Sequence, residues 1–104
     1  MIAAHLSVSA LPAEGTSVGR YVRLAVEVLK RSGLAFEVHA MGTEIECRTL
    51  AELFEVVRLI DERLGKEGAG RITLQLKIDH RLDRDVSLAD KVKSATKPEP
   101  KKPR

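Results

Sequence analysis

The chain has 104 residues, of which 43% are hydrophobic and only 3% aromatic, so there is room for one domain with an aliphatic core. The formal net charge of +3 is uneven, because residues 91–104 carry six Lys or Arg and one Glu, whereas residues 1–90 carry twelve basic and fourteen acidic side chains. The basic excess therefore belongs to a tail, which argues against a nucleic-acid-binding face, and few aromatic side chains are available to stack on bases.

The same composition bears on the location of the protein and on the role of its cysteine. The N-terminal segment lacks the basic residues and the continuous apolar stretch of a signal peptide. Because no run of about 18 apolar residues occurs, we expect no membrane-spanning helix and a cytoplasmic protein. The single cysteine, Cys47, excludes an internal disulfide and is expected to be a small core residue.

Strict alternation of apolar and polar residues predicts a half-buried strand over residues 2–10, with the even-numbered side chains facing the core. Pro12 and Gly15 then interrupt the pattern. A helix is expected to begin near Ser17, whose hydroxyl can cap free backbone N–H groups, and to end at Gly33. The predicted apolar face of this helix consists of Val18, Tyr21, Val22, Ala25, Val28 and Leu29.

A β-hairpin is predicted for residues 36–47, where apolar and polar side chains alternate on both sides of Met41 and Gly42. A two-residue turn at these two positions would place Glu37 directly opposite Glu46. Like charges across a ladder destabilise it, so a cation from a side chain, a partner subunit or a ligand would relieve the repulsion. Alternatively, both carboxylates face solvent and their side chains diverge.

The same turn would set His39 opposite Glu44, which suits either a proton-transfer pair or a surface hydrogen bond. His5 shares a strand face with Ser7, but the glycine pattern of a nucleophile elbow is absent, which argues against a serine hydrolase. A zinc site formed by His5, His39 and Cys47 is disfavoured because Cys47 is expected to point into the core. We therefore predict neither a metal site nor catalysis.

The second helix has a defined start, because Thr49 and Glu52 form a capping-box pattern. Its apolar residues recur at steps of three and four positions until Gly65. These residues are Leu50, Leu53, Val57, Ile60 and Leu64, flanked by Phe54 and Val56. Renewed alternation over residues 72–79 predicts the last strand.

The C-terminal region divides into two parts. Ser87 and Asp90 could cap a short helix that ends near Ala95. Residues 96–104 combine three prolines with four basic residues, which predicts a disordered tail. Residues 1–95 would then form the single folded domain.

The order strand, helix, strand, strand, helix, strand predicts an α+β, ferredoxin-like βαββαβ fold. Right-handed crossovers place both long helices on one face of a four-stranded antiparallel sheet. The other face, called the open face below, would carry the polar side chains of the strands. It is therefore expected to be solvated, or to line a polar subunit interface or a ligand site.

Residues 37–46, with the sequence EVHAMGTEIE, resemble the central motif of the small thiamine-binding-protein family. Residues 77–79, Ser7 in the first strand and residues 17–22 at the first helix start match the family pattern as well. The resemblance extends, in order and with nearly constant spacing, over residues 2–95.

The resemblance implies a ferredoxin-like fold, assembly into a homodimer or homotetramer, and binding of thiamine or a related aminopyrimidine, with no cofactor. Glu37 and Glu46 would face the thiazolium cation, and the neighbouring polar groups would form hydrogen bonds. The ligand-binding residues implied are Ser7, Glu37, His39, Gly42, Thr43 and Glu46. The alternative is a regulatory or interaction subunit that uses the open face for protein–protein contacts.

Overall fold

The computed structural model describes residues 1–15 and 19–98 of the chain. Its elements are β1 (Ile2–Pro12), α1 (Gly19–Ser32), β2 (Ala35–His39), β3 (Gly42–Cys47), α2 (Leu50–Lys66), β4 (Ala69–His80) and α3 (Leu88–Thr96). This order confirms the predicted α+β fold with its short C-terminal helix. The predicted cap at Ser17 and most of the predicted tail, residues 99–104, lie outside the described residues.

The four strands form one antiparallel sheet in the order β2-β3-β1-β4. β1 is therefore a central strand, whereas β2 and β4 form the two edges. β1 pairs with β4 along its whole length, from Ile2 opposite His80 to Pro12 opposite Ala69. The first strand thus continues to Pro12, two residues beyond the predicted alternating segment, with an irregularity between Leu11 and Pro12.

The helices α1 and α2 pack against one face of the sheet and bury an aliphatic core. The fully buried side chains of this core include Ile2, Leu6, Tyr21, Leu29, Ile45, Leu53, Ile60 and Leu64. Val22 and Phe54 were expected at this interface, yet they are 46% and 51% exposed. Each follows a buried residue directly, so its side chain lies about 100° around the helix from that residue, at the margin of the buried stripe.

The capping box of α2 is confirmed. The Thr49 hydroxyl accepts a hydrogen bond from the Glu52 backbone N–H at 3.2 Å, and the Glu52 carboxylate accepts one from the Thr49 N–H at 3.1 Å. These bonds satisfy N–H groups that lack a partner within the helix. The helix passes through Gly65, its predicted end, and stops at Lys66.

The β2–β3 turn differs from the predicted one. Its two residues are Ala40 and Met41, and Gly42 is already the first residue of β3. Glu37 therefore pairs with Glu44, and not with Glu46 as predicted. The difference changes the partners but not the faces, because each residue keeps its place in the alternation.

Close packing against β1 explains the position of Gly42. A Cβ atom at Gly42 would lie 2.4 Å from His5 Nε2 and 2.9 Å from the Leu6 carbonyl oxygen. The sequence pattern suggested that this glycine serves the turn. Its observed role is to leave room for a side chain and a backbone group of the neighbouring strand.

The short helix α3 begins with the predicted capping box. Ser87 Oγ accepts a hydrogen bond from the Asp90 N–H at 3.0 Å, and the Asp90 carboxylate accepts one from the Ser87 N–H at 3.1 Å. The helix ends at Thr96, one residue beyond the predicted end. In the part of the chain that the structure describes, no helix is long and apolar enough to cross a membrane.

Candidate functional site

The open face is polar, as the alternation predicts. Its side chains are Ala3, His5, Ser7 and Ser9 of β1, Glu37 and His39 of β2, Glu44 and Glu46 of β3, and Thr73, Gln75, Lys77 and Asp79 of β4. This face is not fully open, because α3 lies across the end that includes Ala3. The sequence predicted the helix but not this position.

Two polar contacts hold α3 on the sheet. The Glu46 carboxylate accepts a hydrogen bond from the Leu88 backbone N–H, at the positive end of the α3 helix dipole. The Lys91 ammonium group forms an ion pair with Asp79 of β4. The hydrogen bond from Lys91 lowers the pKa of the Asp79 carboxyl, since it favours the ionised form.

A cavity of about 320 Å³ lies between α3 and the sheet, and we call it the α3 cavity. Its charged side chains are Glu44, Lys77, Asp79 and Lys91; the other lining residues are Ala3, Ala4, His5, Leu88, Val92 and Ala95. The helix contributes three apolar side chains, and the sheet contributes groups that can donate or accept hydrogen bonds. Such a combination suits a small, flat, polar molecule.

A second polar group lies near the turn of the β2–β3 hairpin, and we call Glu37, His39 and Glu44 the hairpin cluster. His39 Nε2 lies 3.6 Å from a Glu37 carboxylate oxygen and 3.7 Å from a Glu44 carboxylate oxygen. The other Glu44 oxygen lies 4.0 Å from His5 Nδ1. The predicted His39–Glu44 proximity is therefore present, although the two residues are not paired in the ladder.

The six predicted ligand-binding residues do not converge on one cavity. Ser7 borders a hollow of about 390 Å³ beside Met41. Glu37 and Glu46 border another, of about 430 Å³, on the other side of α3. His39 belongs to the hairpin cluster, which adjoins the α3 cavity through Glu44.

Thr43 and Gly42 are not placed to contact a molecule on the open face through side chains. Thr43 pairs with Leu6 and shares its helix-facing side of the sheet, where it is 8% exposed. Gly42 lies against the His5 ring and can shape the site only through its backbone. The alternation of β3 already places Thr43 on the core side, whereas the motif resemblance implied a ligand-binding role for it.

None of the six predicted ligand-binding residues lines the α3 cavity, and its charged residues are not among them: Glu44, Lys77, Asp79 and Lys91. The alternation of β4 does place Lys77 and Asp79 on the open face, so this signal was available. The approach of Lys91 depends on where α3 returns to the sheet. No local pattern records such a long-range contact.

Cys47 is a core residue, as predicted, with 4% of its surface exposed. Burial is the main factor that raises the pKa of its thiol, because the thiolate would lose solvation. Since Cys47 faces the helices while His5 and His39 lie on the open face, these three residues do not form a joint metal site.

A further cavity of about 260 Å³ lies between α1 and α2, on the opposite side of the sheet. Lys66 and Glu62 line it and form an ion pair with each other at 3.0 Å. Arg63 and Glu27 approach within 3.6 Å beside it. Its charged groups are thus engaged in helix–helix and intrahelical pairs. In the α3 cavity Asp79 and Lys91 are also paired, but Lys77 forms no ion pair among the described residues, which makes the α3 cavity the stronger candidate for ligand binding.

Solved structures of other proteins share this fold. The structure of a domain of unknown function, DUF77, from Bacillus cereus superposes with a TM-score of 0.82 at 28% identity, and the match covers 92% of this chain and 90% of that one. The Thermotoga maritima protein, described as a proposed thiamine biosynthesis/salvage protein, superposes with a TM-score of 0.75 over 90% of this chain and 97% of its own. At 23% identity, the latter likeness shows the fold alone.

Sequence comparison identifies closer relatives. A UPF0045 protein of Methanothermobacter thermautotrophicus is 43% identical over 94 residues, which cover 90% of this chain and 95% of the relative. A UPF0045 protein of Methanocaldococcus jannaschii is 34% identical over 90 residues, covering 84% of this chain and 86% of the relative. The family model described as "Thiamine-binding protein" matches residues 4–96. The chain therefore belongs to the thiamine-binding protein family.

Proposed function

We propose that this protein binds thiamine or a related aminopyrimidine in the α3 cavity, without catalysing a reaction. The observation that carries the proposal is the composition of the cavity, in which Leu88 and Val92 face the Glu44 and Asp79 carboxylates across a small volume. Its volume of about 320 Å³ lies at the lower end of the range typical of ligand pockets, roughly 300–1,000 Å³. A single heterocycle fits this scale better than a large cofactor.

The chemistry of an aminopyrimidine matches these groups. Its exocyclic amine donates hydrogen bonds, which a carboxylate such as Glu44 accepts. Its ring nitrogens accept hydrogen bonds, and Lys77 offers a donor in the same cavity. The faces of the ring are apolar and would contact Val92 and Ala95.

The thiazolium ring of thiamine adds a positive charge, which gives the hairpin cluster a role beside the cavity. Glu37 lies directly opposite Glu44 in the ladder, so their carboxylates repel each other. A cation placed at the Glu44 side of the cavity would lower this repulsion. Glu46 contributes indirectly, because the hydrogen bond that its carboxylate accepts from the Leu88 N–H holds α3 in position over the cavity.

The relatives support the ligand class. The family model carries the description "Thiamine-binding protein", and the name of the Thermotoga maritima protein refers to thiamine biosynthesis or salvage. The homo-oligomeric state, the cytoplasmic location and the absence of catalysis remain predictions from the sequence. The interaction-subunit alternative is weakened by α3, which occupies part of the face that a partner protein would use.

Calorimetric titration with thiamine, its hydroxymethylpyrimidine precursor and thiamine phosphate tests the proposal. We expect saturable binding and a melting temperature that rises with ligand concentration, since a ligand that binds only the folded state stabilises it. Absence of both heat and thermal shift at millimolar ligand would refute the proposal and favour the interaction subunit.

A matched pair of variants locates the site. Ala95→Leu places a larger side chain on the side of α3 that lines the α3 cavity and should weaken binding. Ala89→Leu makes the same change on the same helix outside that cavity and is the control. Equal affinities of the two variants for the bound compound would show that the ligand binds elsewhere.

A further inference from the structure

We propose that Glu37, His39 and Glu44 form a binding site for a divalent transition-metal ion, with Zn²⁺ as the reference ion. The site goes beyond the proposed function, because Glu37 and His39 do not line the α3 cavity. It also revises the expectation from the sequence that the chain has no metal site. The donor set differs from the zinc ligands considered there, since two glutamates replace His5 and Cys47 in the set.

The distances within the hairpin cluster suit a shared ion. One donor atom from each of Glu37, His39 and Glu44 can be chosen so that all three lie within 4.8 Å of one another. The two measured His39–carboxylate separations are 3.6 and 3.7 Å. Ligands about 2.1 Å from a tetrahedral Zn²⁺ are about 3.4 Å apart, so the two His39 separations need to shorten by only a few tenths of an ångström. The Glu37 and Glu44 donor oxygens, which lie within 4.8 Å of each other, need to approach by at most about 1.4 Å.

The paired backbones of β2 and β3 bring the three donors together. Glu37 and Glu44 are directly paired in the antiparallel ladder, and His39 lies at the end of the same strand as Glu37, beside a two-residue turn. The backbone positions of the three donors are therefore fixed before an ion binds, and only their side chains must be ordered. The half-exposed side chains leave the ion access from solvent.

His5 extends the site on the β1 side. Its Nδ1 atom lies 4.0 Å from the Glu44 oxygen that does not face His39, and its ring is held against Gly42. A shift of about 1 Å would bring this imidazole within hydrogen-bond distance of the Glu44 carboxylate, the arrangement in which outer partners orient metal ligands. A residue larger than glycine at position 42 would displace the His5 ring and so disturb its position beside Glu44.

Charge also favours a cation here. Glu37 and Glu44 face each other with like charge, and among residues 1–15 and 19–98 their ion-pair partners within 4 Å are imidazoles only. An imidazole neutralises them only while it is protonated. A divalent ion would compensate both carboxylates at once, and the imidazole nitrogen selects zinc, nickel or copper over magnesium and calcium.

The test is titration of untagged protein with ZnCl₂, followed by calorimetry and by competition with a chromophoric chelator. We expect saturable binding of one ion per chain, and at least about tenfold weaker binding after His39→Asn or Glu37→Gln. MgCl₂ under the same conditions should bind far more weakly. His80→Asn changes a histidine of β4 outside the hairpin cluster and should leave the affinity for Zn²⁺ unchanged.

Several results would overturn the proposal: no saturable binding, unchanged affinity in His39→Asn, or an equal loss in His80→Asn, which would indicate adventitious surface binding. Imidazole NMR signals give a second readout, because Zn²⁺ should shift those of His39 and leave those of His80 in place. Glu44 belongs to both the hairpin cluster and the α3 cavity, so the Zn²⁺ titration is made without thiamine and the thiamine titration without Zn²⁺. Protein that binds thiamine but not Zn²⁺ refutes only the metal site, and protein that binds Zn²⁺ but not thiamine refutes only the proposed function.

Discussion

The close contact at Gly42 allows a prediction in which one kind of substitution has opposite effects at two positions. In Gly42→Ala, the new methyl group would meet His5 Nε2 at 2.4 Å, His5 Cε1 at 2.7 Å and the Leu6 carbonyl oxygen at 2.9 Å. Real Cβ atoms do not approach other atoms so closely, so the His5 ring and the β1–β3 ladder must shift. Forcing a methyl group into a packed site destabilises a protein by about 1–3 kcal/mol.

Gly65→Ala is the matched control. Gly65 lies within α2 on the exposed surface, and nothing lies within 4 Å of the Cβ that alanine would add. Alanine should therefore stabilise the helix by about 0.5–1 kcal/mol, because glycine loses more backbone entropy on folding. Both substitutions add one methyl group. The difference between their effects on the free energy of unfolding therefore shows how much room each site has for that group.

Urea unfolding followed by circular dichroism measures both effects. The midpoint should fall for Gly42→Ala and rise for Gly65→Ala, with an unchanged slope. In a His5→Ala background, the cost of Gly42→Ala should decrease but persist, since the Leu6 carbonyl remains. A Gly42→Ala protein as stable as the wild type would refute the packing argument, and an undiminished cost in the His5→Ala background would refute the role of the ring.

Three further predictions concern the helices and the cysteine. Thr49→Ala should lower the free energy of unfolding by about 1 kcal/mol because it removes the α2 cap, whereas Thr49→Ser should not; equal urea midpoints of the two variants would contradict this. Lys91 lowers the pKa of Asp79, so their ion pair should be intact at neutral pH and still present at the ordinary pKa of aspartate. It should be lost as the pH falls through the lowered pKa of Asp79. NMR signals of the Asp79 side chain followed from about pH 6 to about pH 2 should show this protonation, and Lys91→Gln should move the transition to higher pH; a transition at the same pH in both proteins would show that Lys91 does not lower the Asp79 pKa. Burial and the raised pKa of Cys47 should make its reaction with a disulfide reagent slow in the folded protein and fast in urea, and equal rates would show that the thiol is accessible.

Patterns that depend on neighbouring residues predicted most of the fold. The alternation of β1 and the Thr49–Glu52 capping box are local, because strand faces and helix caps are decided within a few residues. The order of elements then restricted the topology to a sheet with both long helices on one side. These expectations agree with the structure in element type and sequence order.

The differences arise where distant segments meet. Gly42 suggested a turn glycine, but its position depends on the His5 ring of another strand. The place of α3 depends on the contacts that Glu46 and Lys91 make across the sheet. The candidate site is built from these long-range contacts, so the sequence predicted the polar face on which it lies but not the cavity.

The central position of β1 has a consequence for synthesis of the protein. Residues 2–12 leave the ribosome well before residues 69–80, which form one of their two neighbouring strands. Until that strand emerges, the hydrogen-bonding groups along one side of β1 lack their partner. Contacts between such distant segments slow folding, because a long loop must close before they form. The nascent chain therefore completes its sheet only after residues 69–80 have emerged, and until then β1 exposes an unpaired edge that other chains can bind.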